Sequence, residues 1–72
     1  MSIERYLTSL DRRCLDAIVQ PTRIRAVAIR VGAREEEVQL ILRGLEHFGF
    51  AEIRSGRWGL TTRGHAARKA AA

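Results

Sequence analysis

The side chains able to do chemistry in this chain are scattered, and their spacing favours contact over catalysis. His47 and His65 have no Cys or His companions at metal-ligand spacing, so no metal site is expected. Asp11, Asp16 and Glu52 do not fall into a carboxylate pair, and Ser9 and Ser55 lack His–Asp partners. Gly56 and Gly59 do not form a phosphate-cradling loop. Cys14 lies on an apolar helical stripe and reads as a small buried hydrophobe. No catalytic residue and no cofactor is expected, so the chain does not read as an enzyme. What remains is charge: 13 basic residues against 8 acidic ones, a net +5, with all but Lys69 of the basic residues being arginine. That balance favours a polyanionic partner, nucleic acid first.

The elements that must position these groups are legible from periodicity. With 72 residues there is room for one domain, which buries about 60% of the surface of its unfolded chain. Aromatic residues are few, so the core must be mostly aliphatic. A first helix is expected over Ser9–Val19. Thr8 and Asp11 make a capping-box pattern, and Leu7, Leu10, Cys14, Leu15, Ile18 and Val19 share one side. Arg12 and Arg13 sit opposite, as charges that solubilise the helix. Pro21 stops it. A second helix is expected over Arg23–Val31 with Thr22 as N-cap; Ile24, Val27, Ala28 and Val31 form its stripe, and Gly32 closes it. The third starts near Arg34 and turns Val38, Ile41, Leu42, Leu45 and Phe48 inward. Glu35, Glu36 and Glu37 suit the positive end of its dipole, and Gly49 ends it. Its outward face then carries Glu36, Gln39, Leu40, Arg43 and His47. After Gly49 the period changes to alternation. Phe50–Arg54, a Ser55-Gly56 turn and Arg57–Leu60 read as a hairpin, with Trp58 in the core beneath it. Thr61 is positioned to cap a short final helix. The domain is expected over residues 1–65, with 66–72 an Ala-rich, basic, frayed tail.

In detail, Arg23–Gly64 resembles the winged helix-turn-helix family. The residues that carry the resemblance are Ile24, Ala28 and Gly32, then Val38, Leu42 and Leu45, then Gly49-Phe50. The segment Arg57-Trp58-Gly59-Leu60-Thr61 with Gly64 looks like the second wing strand and its exit in many bacterial and archaeal winged-helix regulators. The first helix extends the match to nearly the whole chain. The resemblance implies a mainly α (α+β) fold: a three-helix winged helix-turn-helix with a C-terminal two-stranded wing and a short terminal helix. It also implies a duplex-DNA-binding protein, a small transcriptional regulator or DNA-processing accessory factor of a prokaryote or its phage. In the family the third helix lies in the major groove and the wing touches the backbone or minor groove. Carried onto this sequence, Gln39 would meet adenine and Arg43 guanine, with Glu36, Leu40 and His47 on the same face. Arg34 would sit near a phosphate path, and Arg54, Ser55 and Arg57 would face phosphates.

Two features point elsewhere. Three glutamates crowd the end of the third helix that would enter the groove, and Leu40 stands where many family members place a polar or basic side chain. With Ile29, which falls off the inner stripe of its helix, Leu40 supports an alternative: a protein-binding winged helix that captures a partner through the third helix. A DNA-binding domain of this size is expected to work as a homodimer, with the apolar arc of the first helix, Tyr6 and Ile3 as the contact. The single cysteine and the absence of a signal-peptide pattern fit a reducing, cytoplasmic setting. The longest charge-free run, Ala17–Thr22, is far too short for a membrane helix.

Overall fold

The computed structural model describes residues 6–71 of the chain. Along it run α1 (Ser9–Ala17), α2 (Ile24–Val31), α3 (Glu35–His47), β1 (Ala51–Arg54), β2 (Arg57–Leu60) and α4 (Thr62–Ala71). The first three helices pack around one core, and an antiparallel hairpin follows as a wing, as the sequence predicts. Among the described residues no helix is long and apolar enough to cross a membrane.

Local chemistry sets most boundaries. The capping box forms at α1: the Asp11 amide donates to Thr8 Oγ1 at 3.0 Å, and the Thr8 amide donates to Asp11 Oδ2 at 2.9 Å. The helix stops at Ala17, two residues before the expected end, in a tightened turn where the Ile18 amide donates to the Leu15 carbonyl. Gly32 closes α2 with φ 72°. At the end of α3, Gly49 takes φ 82°, and the Gly49 and Phe50 amides donate to the Glu46 and Leu45 carbonyls. This is the paired bonding of a Schellman cap, and it turns the chain directly into the wing. The wing turn has φ 51° at Ser55 and 75° at Gly56, the double left-handed geometry of a two-residue hairpin loop. It fixes the register Arg54↔Arg57, Ile53↔Trp58, Glu52↔Gly59 and Ala51↔Leu60.

Two expectations are corrected. Thr22 does not cap α2; Arg23 occupies the N-cap position, without a side-chain bond. Thr22 is used otherwise: its amide and carbonyl form a β-bridge with Trp58, at 2.9 and 2.8 Å, and its hydroxyl donates to the Gln20 carbonyl at 2.6 Å. The linker between α1 and α2 thus adds a single pairing to the edge of the wing. The second correction concerns the C-terminus. The segment expected to fray from residue 66 continues α4 to Ala71; it contributes Ala67, fully buried, and Arg68, which pairs with Asp16 of α1 at 2.7 Å. Thr61 caps this helix as expected, accepting from the Gly64 amide at 2.9 Å while its hydroxyl donates to the Gly49 carbonyl.

The core is Cys14, Leu15 and Ala17 from α1 with Ile18 at its C-cap, Val27, Ala28 and Val31 from α2, and Val38, Leu42 and Leu45 from α3. Phe50, Ala51, Trp58 and Ala67 close it from the C-terminal side. Trp58 and Phe50 are the largest fully buried side chains, so the base of the wing is part of the core. Burial also pushes the Cys14 thiol up to about 11, with the Asp11 charge adding to the effect.

Candidate nucleic-acid interface

The outward face of α3 holds the side chains that the helical wheel places there, in differing states. Arg34 is the exposed N-cap residue of α3, and Glu36 stands exposed in the first turn beside Glu35 and Glu37. Arg34 leaves the first amides of α3 without a side-chain acceptor, so the three carboxylates lie against a positive helix end. Gln39 is half-buried. Leu40 is 75% exposed. His47, exposed at the last turn, meets the Phe48 ring edge-on at 5.4 Å.

Arg43 is not a free reader. Its guanidinium lies 5.3 Å from the Trp58 ring centroid and pairs with Glu46 at 2.9 Å. A cation over an indole face gains about 0.5–1 kcal/mol at an exposed site, and the i,i+3 ion pair adds a few tenths. To reach a base edge, Arg43 must give up interactions of roughly that size. The contact with Trp58 also ties α3 to the wing.

On the wing, Arg54 and Arg57 lie directly opposite each other beside the turn, and Ser55 forms the turn itself. All three are exposed. Arg54 pairs with Glu52, two residues earlier on the same face of the strand, at 3.1 Å. Reasoning from sequence misses this carboxylate, although strand alternation alone puts Glu52 and Arg54 on one side. It also misses Arg23. A Cβ built at Gly56 would lie only 3.2 Å from an Arg23 guanidinium nitrogen, so Arg23 reaches from the N-cap of α2 to the wing turn. No sequence pattern marks that approach.

Arg13 does more than solubilise α1. It donates to the Val31 carbonyl, placing a positive charge at the C-terminus of α2 and bracing the first helix against the helix-turn-helix.

The apolar features separate into two places. Ile29, 73% exposed on α2, borders a shallow basin at the turn before α3 with Arg25, Gly32 and Glu36. Leu40 lies instead on the flank of α3 toward the N-terminal segment. There it lines a groove of about 280 Å³ with Tyr6, Leu7, Ile41, Gly44 and Phe48. The apolar arc of α1, expected to provide a dimer contact, is largely taken up by the core: Cys14, Leu15 and Ile18 are fully buried. What stays outside is Tyr6, 62% exposed; Ile3 lies outside the described residues. Among the described residues, no three His, Cys, Asp or Glu side chains gather as they would around a metal ion.

Comparison with known proteins gives a single clear direction. No family model matches the sequence, and no curated protein matches it. Among solved structures, the chain is similar to a MarR family protein of Mycobacterium tuberculosis, with a TM-score of 0.84 and 28% sequence identity. The match covers 93% of this chain and 53% of that protein, so the chain spans about half its length. The fold is a winged helix of the kind that MarR family protein has.

Proposed function

We propose that this chain is a DNA-binding winged-helix module that grips duplex DNA, with α3 in the major groove and the wing on the backbone, and that it serves a transcription regulator. The observation that carries this reading is a juxtaposition. Within a fold shared with a MarR family protein, the outward face of α3 adjoins a wing bearing Arg54 and Arg57 at its tip. Gln39 and Arg43 are the residues for base edges, with Glu36 available to a cytosine amino group. Arg34, Arg54, Ser55 and Arg57 hold phosphates. The glutamates at the start of α3 favour an approach in which the middle of the helix, rather than its first turn, reaches the base pairs. On this reading the protein works in the cytoplasm as a homodimer, with the contact at the N-terminal segment around Tyr6.

A second reading has its own observation: Leu40, 75% exposed, lines an apolar groove together with Tyr6, Ile41 and Phe48. In that reading a partner protein docks on α3 with Leu40 as its apolar anchor.

One comparison separates the two. Fluorescence anisotropy with random-sequence duplex DNA across a salt series measures affinity and salt slope for three proteins: wild type, the double variant Arg54→Ala/Arg57→Ala, and Leu40→Glu. DNA binding requires the double variant to weaken all duplexes alike and to lower the slope by about one unit for each phosphate no longer held. Affinity for DNA indifferent to both changes, with a partner in a pull-down lost only on Leu40→Glu, refutes it.

A further inference from the structure

We infer that the wing holds the phosphate backbone with three arginines rather than two, the third being Arg23 from the start of α2 and each engaging its own phosphate, and that Glu52 restrains this grip. The inference rests on the DNA-binding reading above and extends it to a residue and a restraint that the reading does not contain.

The Thr22–Trp58 bridge fixes the linker before α2 along the wing's edge. The next residue is Arg23, whose exposed side chain reaches the wing turn, within 3.2 Å of where a Gly56 Cβ would stand. A third guanidinium therefore stands beside the turn that Arg54 and Arg57 flank, facing each other across the ribbon. Their shared face is the one turned away from Trp58, and it borders a cleft of about 210 Å³ lined by Pro21, Glu52, Arg54, Arg57 and Gly59. Gly59 has no side chain, and nothing lies within 4 Å of the Cβ it lacks, so the ribbon is open there.

Three guanidiniums and one carboxylate leave a surplus of two positive charges, presented as planar forks that match a phosphate's oxygens. Glu52 occupies Arg54 at 3.1 Å in the unbound protein. The carboxylate offsets part of the positive charge and repels an incoming phosphate, so Glu52 lowers affinity without touching DNA. Gly suits the tip of the turn, because φ at Gly56 is 75° and a side chain there would crowd the Arg23 head group.

The test is duplex binding by anisotropy between about 50 and 200 mM salt, with random-sequence DNA. Arg23→Ala is expected to lower the log–log salt slope by about 0.9, so that the fourfold change in salt costs about 3.5-fold less affinity than in wild type. Arg23→Gln, which keeps the side-chain length and removes the charge, is expected to do the same; circular dichroism melts show that each variant is folded. Glu52→Gln is expected to bind more tightly. A slope that falls in Arg54→Ala and Arg57→Ala but not in either Arg23 variant overturns this inference alone. Wild-type protein that does not bind duplex DNA overturns it together with the proposed function. Saturation by inorganic phosphate in calorimetric titration, lost in Arg23→Ala while duplex affinity ignores that change, also overturns it, by assigning the arginines to a free anion.

Discussion

Glycine to alanine is the smallest substitution that adds a side chain, and in this fold its sign depends on which helix receives it. At Gly64, in α4, a Cβ would overlap the Phe50 carbonyl oxygen and stand 3.0 Å from the Phe50 carbonyl carbon and 3.2 Å from Leu60 Cδ2. The nearest atoms are backbone, and that backbone is held. The Phe50 amide donates to the Leu45 carbonyl at 2.8 Å, and the Phe50 carbonyl accepts from the Thr61 amide at 3.2 Å. Relief requires α4 to back away by more than about 1 Å, since carbon and oxygen repel steeply inside van der Waals contact. That movement loosens Ala67, which is fully buried, and strains the Thr61 cap on the Gly64 amide. Overpacking of this kind costs about 1–3 kcal/mol and a broken cap about 1, against a gain near 1 for alanine over glycine in a helix. The net is a destabilisation of about 2 kcal/mol, or roughly 8–16 °C in melting temperature for a domain of this size. Gly44 in α3 is the control: nothing lies within 4 Å of its Cβ position. Gly44→Ala should therefore raise stability by about 0.4–1 kcal/mol. Thermal melts followed by far-ultraviolet circular dichroism read both. A Gly64→Ala midpoint at or above wild type would show that α4 does not pack on Phe50 as described.

Further expectations concern the core, the brace between helices, the thiol and assembly. Leu45→Ala, at a site 3% exposed, should cost about 2–5 kcal/mol in urea unfolding; an unchanged midpoint would remove Leu45 from the core. Arg13→Met keeps the aliphatic stem but loses the bond to the Val31 carbonyl, and should cost about 0.5–1.5 kcal/mol, less at high salt. Equal stability in both proteins would show the bond contributes nothing. The Cys14 thiol, raised by burial from its ordinary 9.0 to about 11, should label slowly with a thiol reagent in the native protein and rapidly in denaturant. Because the folded state holds this proton more tightly, its contribution to stability is complete below about pH 9 and is lost as pH rises through about 11. Denaturation midpoints that rise over that interval would contradict the assignment. Sedimentation at high micromolar concentration should show a dimer that Tyr6→Glu dissociates; a wild-type monomer would rule out the N-terminal contact.

Where a boundary is decided within a few residues, the sequence is sufficient. The Thr8–Asp11 box, the Gly32 and Gly49 stops and the Ser55-Gly56 turn each need only neighbouring atoms, and each forms where its residue types direct. Misreadings arise where a distant group competes for the same atoms. Thr22 has the chemistry of an N-cap, but Trp58 takes its amide and carbonyl. Arg13 looks like a solvated surface charge until Val31 is brought beside it. Ala66 and its neighbours look like a frayed tail until Ala67 finds a place in the core. The outward face of α3 follows from helical period, but the engagement of Arg43 by Trp58 and Glu46 does not, since it depends on where the wing folds back. Arg23 is the extreme case: nothing adjacent in sequence marks it, and only the closed ribbon brings it to Gly56.

The bridge between Thr22 and Trp58 has a mechanical consequence. A hairpin joined to a helical body only through its base is a hinged flap, free to swing about the two chain crossings. Here the edge of the flap is stitched to the linker ahead of α2, and the Arg43 guanidinium rests on the indole from the α3 side. With attachment on both flanks, the wing loses its swing and turns with the helices as one rigid piece. A curved surface that engages α3 and the wing together then meets them at a fixed separation. Little motional freedom is left to freeze on contact, and a mismatch in spacing cannot be absorbed by bending the wing.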